Sequence, residues 1–419
     1  MMSILRRRTA LAAGASLLLP LALAGCGDNS AGGDAKKVRM LVNLTDNLNQ
    51  AYWEKLVSPF EKSTGIDVQI EGPTGKSVAE TFPQQLAAGT APDVIQSIYP
   101  DANTAPELLD LSDLDWVDGT PMVDTYSLDG KRYVVGVGSQ AQSLVFYNKT
   151  AFDKAGIDKT PTTWKEFTDA LGRLDDAGYT PMQTAGQYMT GLQLQQLFHP
   201  ALNTSHPKWQ TAVTKEELNI GDAYQPMFQH YADWLKAGYF AKDDVGLDPS
   251  TADGNFVAGK VGVYPNGSWF LASLDAAGKL PFEVGVFSPP VDDGQSYPGP
   301  QGATMADPYM IWEGSGNVDG AKQLVKYLAT DKTAIETQLR ADGIFRQGTD
   351  LEQSPLATEV QAIVDKAPEL VSVGEGAGDN RLPVTGFNPK FTEIVQSLYT
   401  SRTPEQAARA IDQWVSENR

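Results

Sequence analysis

The chain of 419 residues carries one cysteine and three histidines, too few for a disulfide framework or an obvious metal centre. His199, His206 and His230 show no His-Glu-x-x-His spacing and no Gly-x-Ser-x-Gly elbow is present, so the common metalloprotease and serine-nucleophile signatures are excluded. Positive charge is scarce: 33 Lys+Arg stand against 52 Asp+Glu, a net charge of −19, and the cations are scattered. Such a chain has no basic face for a phosphate backbone, which excludes nucleic acid as a partner. Gly136-Val137-Gly138 lacks the third glycine of a dinucleotide fingerprint, and Asp113, Asp115 and Asp118 lack the glutamate that closes a calcium loop. No catalytic residue, metal or cofactor is therefore expected. Asp175-Asp176, Asp243-Asp244 and Asp292-Asp293 read as solvated loops. They still keep a secreted carbohydrate-active hydrolase as the competing class, since such enzymes set an acid and a base across a cleft.

Long apolar runs are missing too, with one exception. Arg6-Arg7-Arg8 precedes an apolar stretch over 10–24, shorter than the ~20 residues of a spanning helix, that ends in Leu23-Ala24-Gly25-Cys26. This reads as a lipoprotein signal peptide over residues 1–25. Cys26 is then lipidated, and residues 26–37 form a flexible tether on the outer face of the cytoplasmic membrane. Loss of the peptide removes three arginines and no acid, leaving 30 cations against 52 anions, or −22. That sign disfavours an anionic solute.

The folded body begins near Val38. Strands are expected over 38–42, 66–70 and 92–95, with helices over 51–63 and 79–88 stopped at Gly65 and Gly89; this alternation builds a parallel sheet. Ligands collect beyond the carboxyl ends of such strands. That nominates Asp46 and Asn47 after the first strand and Ser97 after the third. Residues 133–137 read as a strand, broken by the polar run 138–142 and resumed over 143–148. Thr163 and Glu166 have capping-box spacing, Trp164, Phe167, Leu171 and Leu174 share one helix face, and Gly178 ends that helix. Further helices are expected over 193–198, 224–237, 251–258 and 403–414, and Ala321, Leu324, Val325 and Leu328 form another apolar face.

The run Ser143-Leu-Val-Phe-Tyr-Asn-Lys149 followed by Pro161-Thr-Thr-Trp-Lys-Glu166, with Phe60-Glu-Lys-Ser-Thr-Gly-Ile66, Pro92-Asp-Val94 and Asn266-Gly-Ser-Trp269, resembles the extracellular sugar-binding proteins that feed ABC importers. The resemblance covers nearly all of the mature chain. It implies an α/β, two-lobe periplasmic-binding-protein-like fold of type II, each lobe a mostly parallel sheet flanked by helices, with three interlobe crossings near Gln142, Pro298 and Ile344. The N-terminal lobe would comprise 38–142 and 299–343, and the C-terminal lobe 143–298 and 344–419. It implies a monomeric binding protein and no enzyme, holding a neutral mono- or oligosaccharide in the cleft and passing it to ABC permease subunits. By the same resemblance Tyr188 and Trp269 stack on the sugar, while Asp46, Asn47, Ser97, Gln140, Gln142 and Asn388 pair with hydroxyls. Ala141-Gln142 replaces the acid of the maltose-binding pattern, Ser97 replaces an aromatic, and Phe387 comes one step before the expected aromatic position at Asn388. These departures point away from maltodextrin. An amino sugar, a polyol, a peptide or a sensing role are the remaining alternatives.

Overall fold

Apolar runs of three to six residues set short strands, and capped amphipathic segments set the helices between them. The computed structural model describes residues 36–418 except 46, 74–76, 102, 207, 242, 292–302, 366–381, 383 and 385. Cys26, Asp46 and the crossing expected near Pro298 lie outside the described residues. The strands in chain order are β1 (Lys37–Leu41), β2 (Asp67–Glu71), β3 (Val94–Gln96), β4 (Gly138–Ala141), β5 (Leu144–Asn148), β6 (Thr180–Met182), β7 (Val261–Asn266), β8 (Val284–Phe287), β9 (Ala303–Ala306) and β10 (Tyr309–Ile311).

Two four-stranded sheets carry the two lobes, in the orders β10-β3-β1-β2 and β6-β7-β5-β8, and β4 pairs with β9 in a separate ribbon. In the first sheet β1 is parallel to β2 and β3, with Val38 opposite Val68 and Met40 opposite Val94. Neighbouring residues of a strand face opposite sides. Met40, Val94, Tyr309 and Ile311 accordingly enter one core with Trp53, Phe60, Leu324 and Leu328, while Leu41, Ile95 and Met310 enter another with Phe82 and Tyr126. The helix Val318–Thr330 buries Ala321, Leu324, Val325 and Leu328 as their spacing predicts.

The second sheet corrects the expectation of a mostly parallel one. β5 lies antiparallel to both β7 and β8, and only β6 and β7 are parallel. β5 enters straight from the crossing rather than from a helix that returns the chain along the sheet, so nothing forces it to run with its neighbours. Trp164, Phe167, Leu171 and Leu174 are buried against this sheet on the helix Trp164–Asp176. Its capping box is half formed: Thr163 Oγ1 accepts the Glu166 N–H, whereas the Glu166 carboxylate accepts from the backbone and hydroxyl of Thr162.

A second correction concerns residues 133–142. The apolar half, 133–137, forms no strand of its own, holding to its neighbours by an isolated bridge from Val135 to Tyr309 and a Val137 N–H donated to the Ala306 carbonyl, and the polar run expected as a break is strand β4. A ladder needs backbone groups, not apolar side chains, and β4 finds partners on both edges. It pairs with β9, and Ser139 exchanges N–H···O bonds of 2.8 Å each with Phe345. Any side chain at Gly138 would overlap the Phe345 carbonyl and the Ile344 side chain, so the third crossing passes hard against the first.

Candidate functional site

The carboxyl ends of β1 and β3 and the start of β10 meet at one corner of the first lobe. Buried Gln96 organises it: Oε1 accepts the Asn43 N–H at 2.9 Å and Nε2 donates to Asp307 Oδ1 at 3.0 Å. Ser97 donates its N–H to the Pro308 carbonyl at 3.2 Å and takes a φ of 78°, and Asp307 takes 44°. Left-handed backbone at two non-glycine residues is costly and clusters where a fold holds groups for use. Asp307 is 3% exposed, and its Oδ2 has no hydrogen-bond partner among the described residues; nor has the buried hydroxyl of Tyr52, on the first turn of the helix Gln50–Thr64.

Asp342, at the third crossing, completes the corner. Gln140 Nε2 donates to its carboxylate and, at 2.8 Å, to its carbonyl. Burial raises the Asp307 carboxyl above the ordinary carboxylate range against the pull of Gln96. Asp342 is raised by burial first and by Asp307 second, against the pull of Gln140. The hydroxyls of Tyr52 and Tyr309 are raised by burial and then by both acids. Two acids share one poorly solvated corner, so they do not both ionise freely.

Where the chain leaves the first lobe, Gln142 is held from both sides. Its Oε1 accepts from Gln196 Nε2 at 2.6 Å and its Nε2 donates to Thr304 Oγ1 at 3.2 Å, while Gln196 Oε1 takes the Ser143 N–H. Ser268 ties two crossings together: it exchanges hydrogen bonds with the Ala141 backbone and donates its hydroxyl to the Gly343 carbonyl at 2.7 Å.

Trp269 follows Ser268 at the start of the helix Phe270–Ala277 and is half-buried. Its indole folds over Gly267, where a side chain would overlap the ring. Tyr188 precedes the helix Met189–Ser205 and is 55% exposed; with Leu44, at 41% in the loop after β1, it is an exposed large apolar group in a protein that hides most of its own. Asn388 Oδ1 accepts from Gln195 Nε2 at 3.2 Å, and Gln396 Nε2 donates to the Gln187 carbonyl at 3.0 Å, so Tyr188 and Asn388 belong to one pair of packed helices. Of the residues nominated by sequence, Gln140 and Gln142 therefore lie at the crossings, and Trp269 follows Ser268, which ties two of them together. Asn47 and Ser97 lie in the loops after β1 and β3. Tyr52, Asp307 and Asp342 were passed over. The available signal was an acid at the mouth of an apolar strand pair, Ala306-Asp307-Pro308, and another beside the expected third crossing, Asp342-Gly343.

A family model described as bacterial extracellular solute-binding protein matches residues 45–335. Among curated relatives, the sn-glycerol-3-phosphate-binding periplasmic protein of Brucella melitensis is 25% identical over 207 residues, 47% of this chain; the match covers 45% of that relative's length. Among solved structures, a chitin oligosaccharide binding protein superposes with a TM-score of 0.77 at 21% identity, covering 92% of this chain and 99% of the other. A sugar transporter from Bacillus licheniformis in complex with stachyose gives 0.73 at 18% identity, covering 91% and 99%.

Proposed function

The chain belongs to the bacterial extracellular solute-binding proteins, and from that premise we propose that it captures a mono- or oligosaccharide without anionic groups between its lobes and delivers it to an ABC permease. The choice of solute is supported by an exposed Tyr188, a half-buried Trp269 and uncharged amide side chains at the crossings. Flat rings suit the C–H faces of a pyranose, and amides suit its hydroxyls. Two solved structures of similar fold are of a protein named for binding chitin oligosaccharide and of a sugar transporter in complex with stachyose. A phosphoester solute, raised by the Brucella relative, is opposed by the acidic corner around Asp307, which offers an anion no cation among the described residues. In this reading the lobes comprise 38–142 with 299–343 and 143–298 with 344–419. Cys26 carries the lipid that keeps the protein outside the cytoplasmic membrane, and the protein acts as a monomer. Mass spectrometry of solute retained by the purified protein, followed by calorimetry with that solute, tests the proposal. Shorter products on incubation with oligosaccharides would instead favour a hydrolase.

A further inference from the structure

The corner built by Asp307, Asp342 and Tyr52 has more acid than the fold itself uses. Asp307 Oδ1 is satisfied by Gln96 and the Asp342 carboxylate by Gln140, but the Asp307 Oδ2 and the Tyr52 hydroxyl are each buried with no partner among the described residues, and Asp307 is the charge that acts most on that hydroxyl. Among the described residues no lysine or arginine acts on either acid. The groups acting on the pair are each other, the amides Gln96 and Gln140, and the phenols Tyr52 and Tyr309, whose own hydroxyl is spent on Gln338. Arg346, from the segment just past the third crossing, is engaged by the carbonyls of Val137 and Ala329. Asn43, Tyr52, Gln140 and Asp342 are each partly exposed as residues, so they stand between the buried Asp307 and the surface.

We propose that Asp307, Asp342 and Tyr52 form a subsite for a protonated amino group on the solute, which makes an amino sugar the preferred ligand; this rests on the sugar-binding reading above. A buried carboxyl without a cation is expensive, and a ligand that supplies the missing charge together with several N–H donors removes that cost. An ammonium group donates three hydrogen bonds, enough for Asp307 Oδ2, Asp342 and the Tyr52 oxygen. A hydroxyl donates one and brings no charge. A phosphate or carboxylate would add a third anion to the corner.

Calorimetry on the mature chain near neutral pH tests the subsite with six probes: glucosamine and a glucosamine trimer, their N-acetylated forms, and glucose with a glucose trimer. The amino forms are expected to bind at least about tenfold tighter than both neutral sets. Asp307→Asn should abolish that preference with an unchanged circular dichroism spectrum, and Tyr52→Phe, which removes only a hydroxyl, should reduce it several-fold. If the neutral sugars bind as tightly as the amino forms, the subsite is refuted while sugar capture stands. If none of the six binds, sugar capture falls and the subsite falls with it. A preference that survives Asp307→Asn would place the amino group elsewhere and overturn the assignment.

Discussion

Trp269 and Asp307 show what single residues contribute here. The indole of Trp269 rests where Gly267 leaves room for it, so the glycine positions the ring as much as the tryptophan supplies it. Trp269→Ala is expected to cost roughly 2 kcal/mol of binding, as truncation of an aromatic anchor does elsewhere. Gly267→Ala, which makes the flexible end of the side chain move rather than the backbone, should weaken binding in the same direction while circular dichroism stays unchanged; calorimetry on both variants checks this. Asp307 makes a claim about stability. Its folded carboxyl is raised by burial above an unfolded value of about 3.9. The folded state thus holds a proton that the unfolded chain has lost, and stability falls as pH climbs from about 4 through the raised folded value. Asp307→Asn removes that term. It should raise the thermal midpoint at about pH 8, by on the order of a few degrees, and leave it almost unchanged near pH 4.

At the scale of elements, β4 is the instructive case. Its residues Gly138, Ser139, Gln140 and Ala141 have neither the branched nor the aromatic character that marks a strand, yet they hydrogen-bond to β9 on one edge and to Phe345 on the other. Close approach of those neighbours makes Gly138 obligatory. Gly138→Val should destabilise the fold by about 1–3 kcal/mol in urea unfolding, because the nearest neighbour is the Phe345 backbone carbonyl, which cannot step aside. Elements whose formation depends on their own side chains were legible: the faces of Trp164–Asp176 and Val318–Thr330, and the parallel β1, β2 and β3, stand close to where periodicity and caps put them. What was not legible depends on distant chain. The direction of β5 against β7 and β8, the strand character of β4, and the meeting of Asp307 with Asp342 all follow from crossings that bring together residues far apart in sequence. Tyr188 and Trp269 were nominated by a family pattern, whereas no local pattern marks two acids that become neighbours only when the crossings converge.

For the whole molecule the question is how two lobes with separate cores move about shared crossings. The crossings are short and joined to one another: Ser268 binds both Ala141 and Gly343, and Gln142 reaches Thr304 and Gln196. Such ties restrict sliding but allow rotation at a few backbone torsions, and Ser143, with a φ of 58°, stands at the turn into the second lobe. A solute that touches both lobes favours the closed arrangement only by the difference in its affinity for closed and open states. Small-angle scattering should therefore show a smaller radius of gyration with saturating sugar than without. Gln196→Ala, which removes the hydrogen bonds to Ser143 and Gln142 that tie the first crossing, should shift the unliganded radius and not the liganded one. An unchanged radius on saturation would mean that capture occurs without hinge closure, and the solute would then have to be held by one lobe alone.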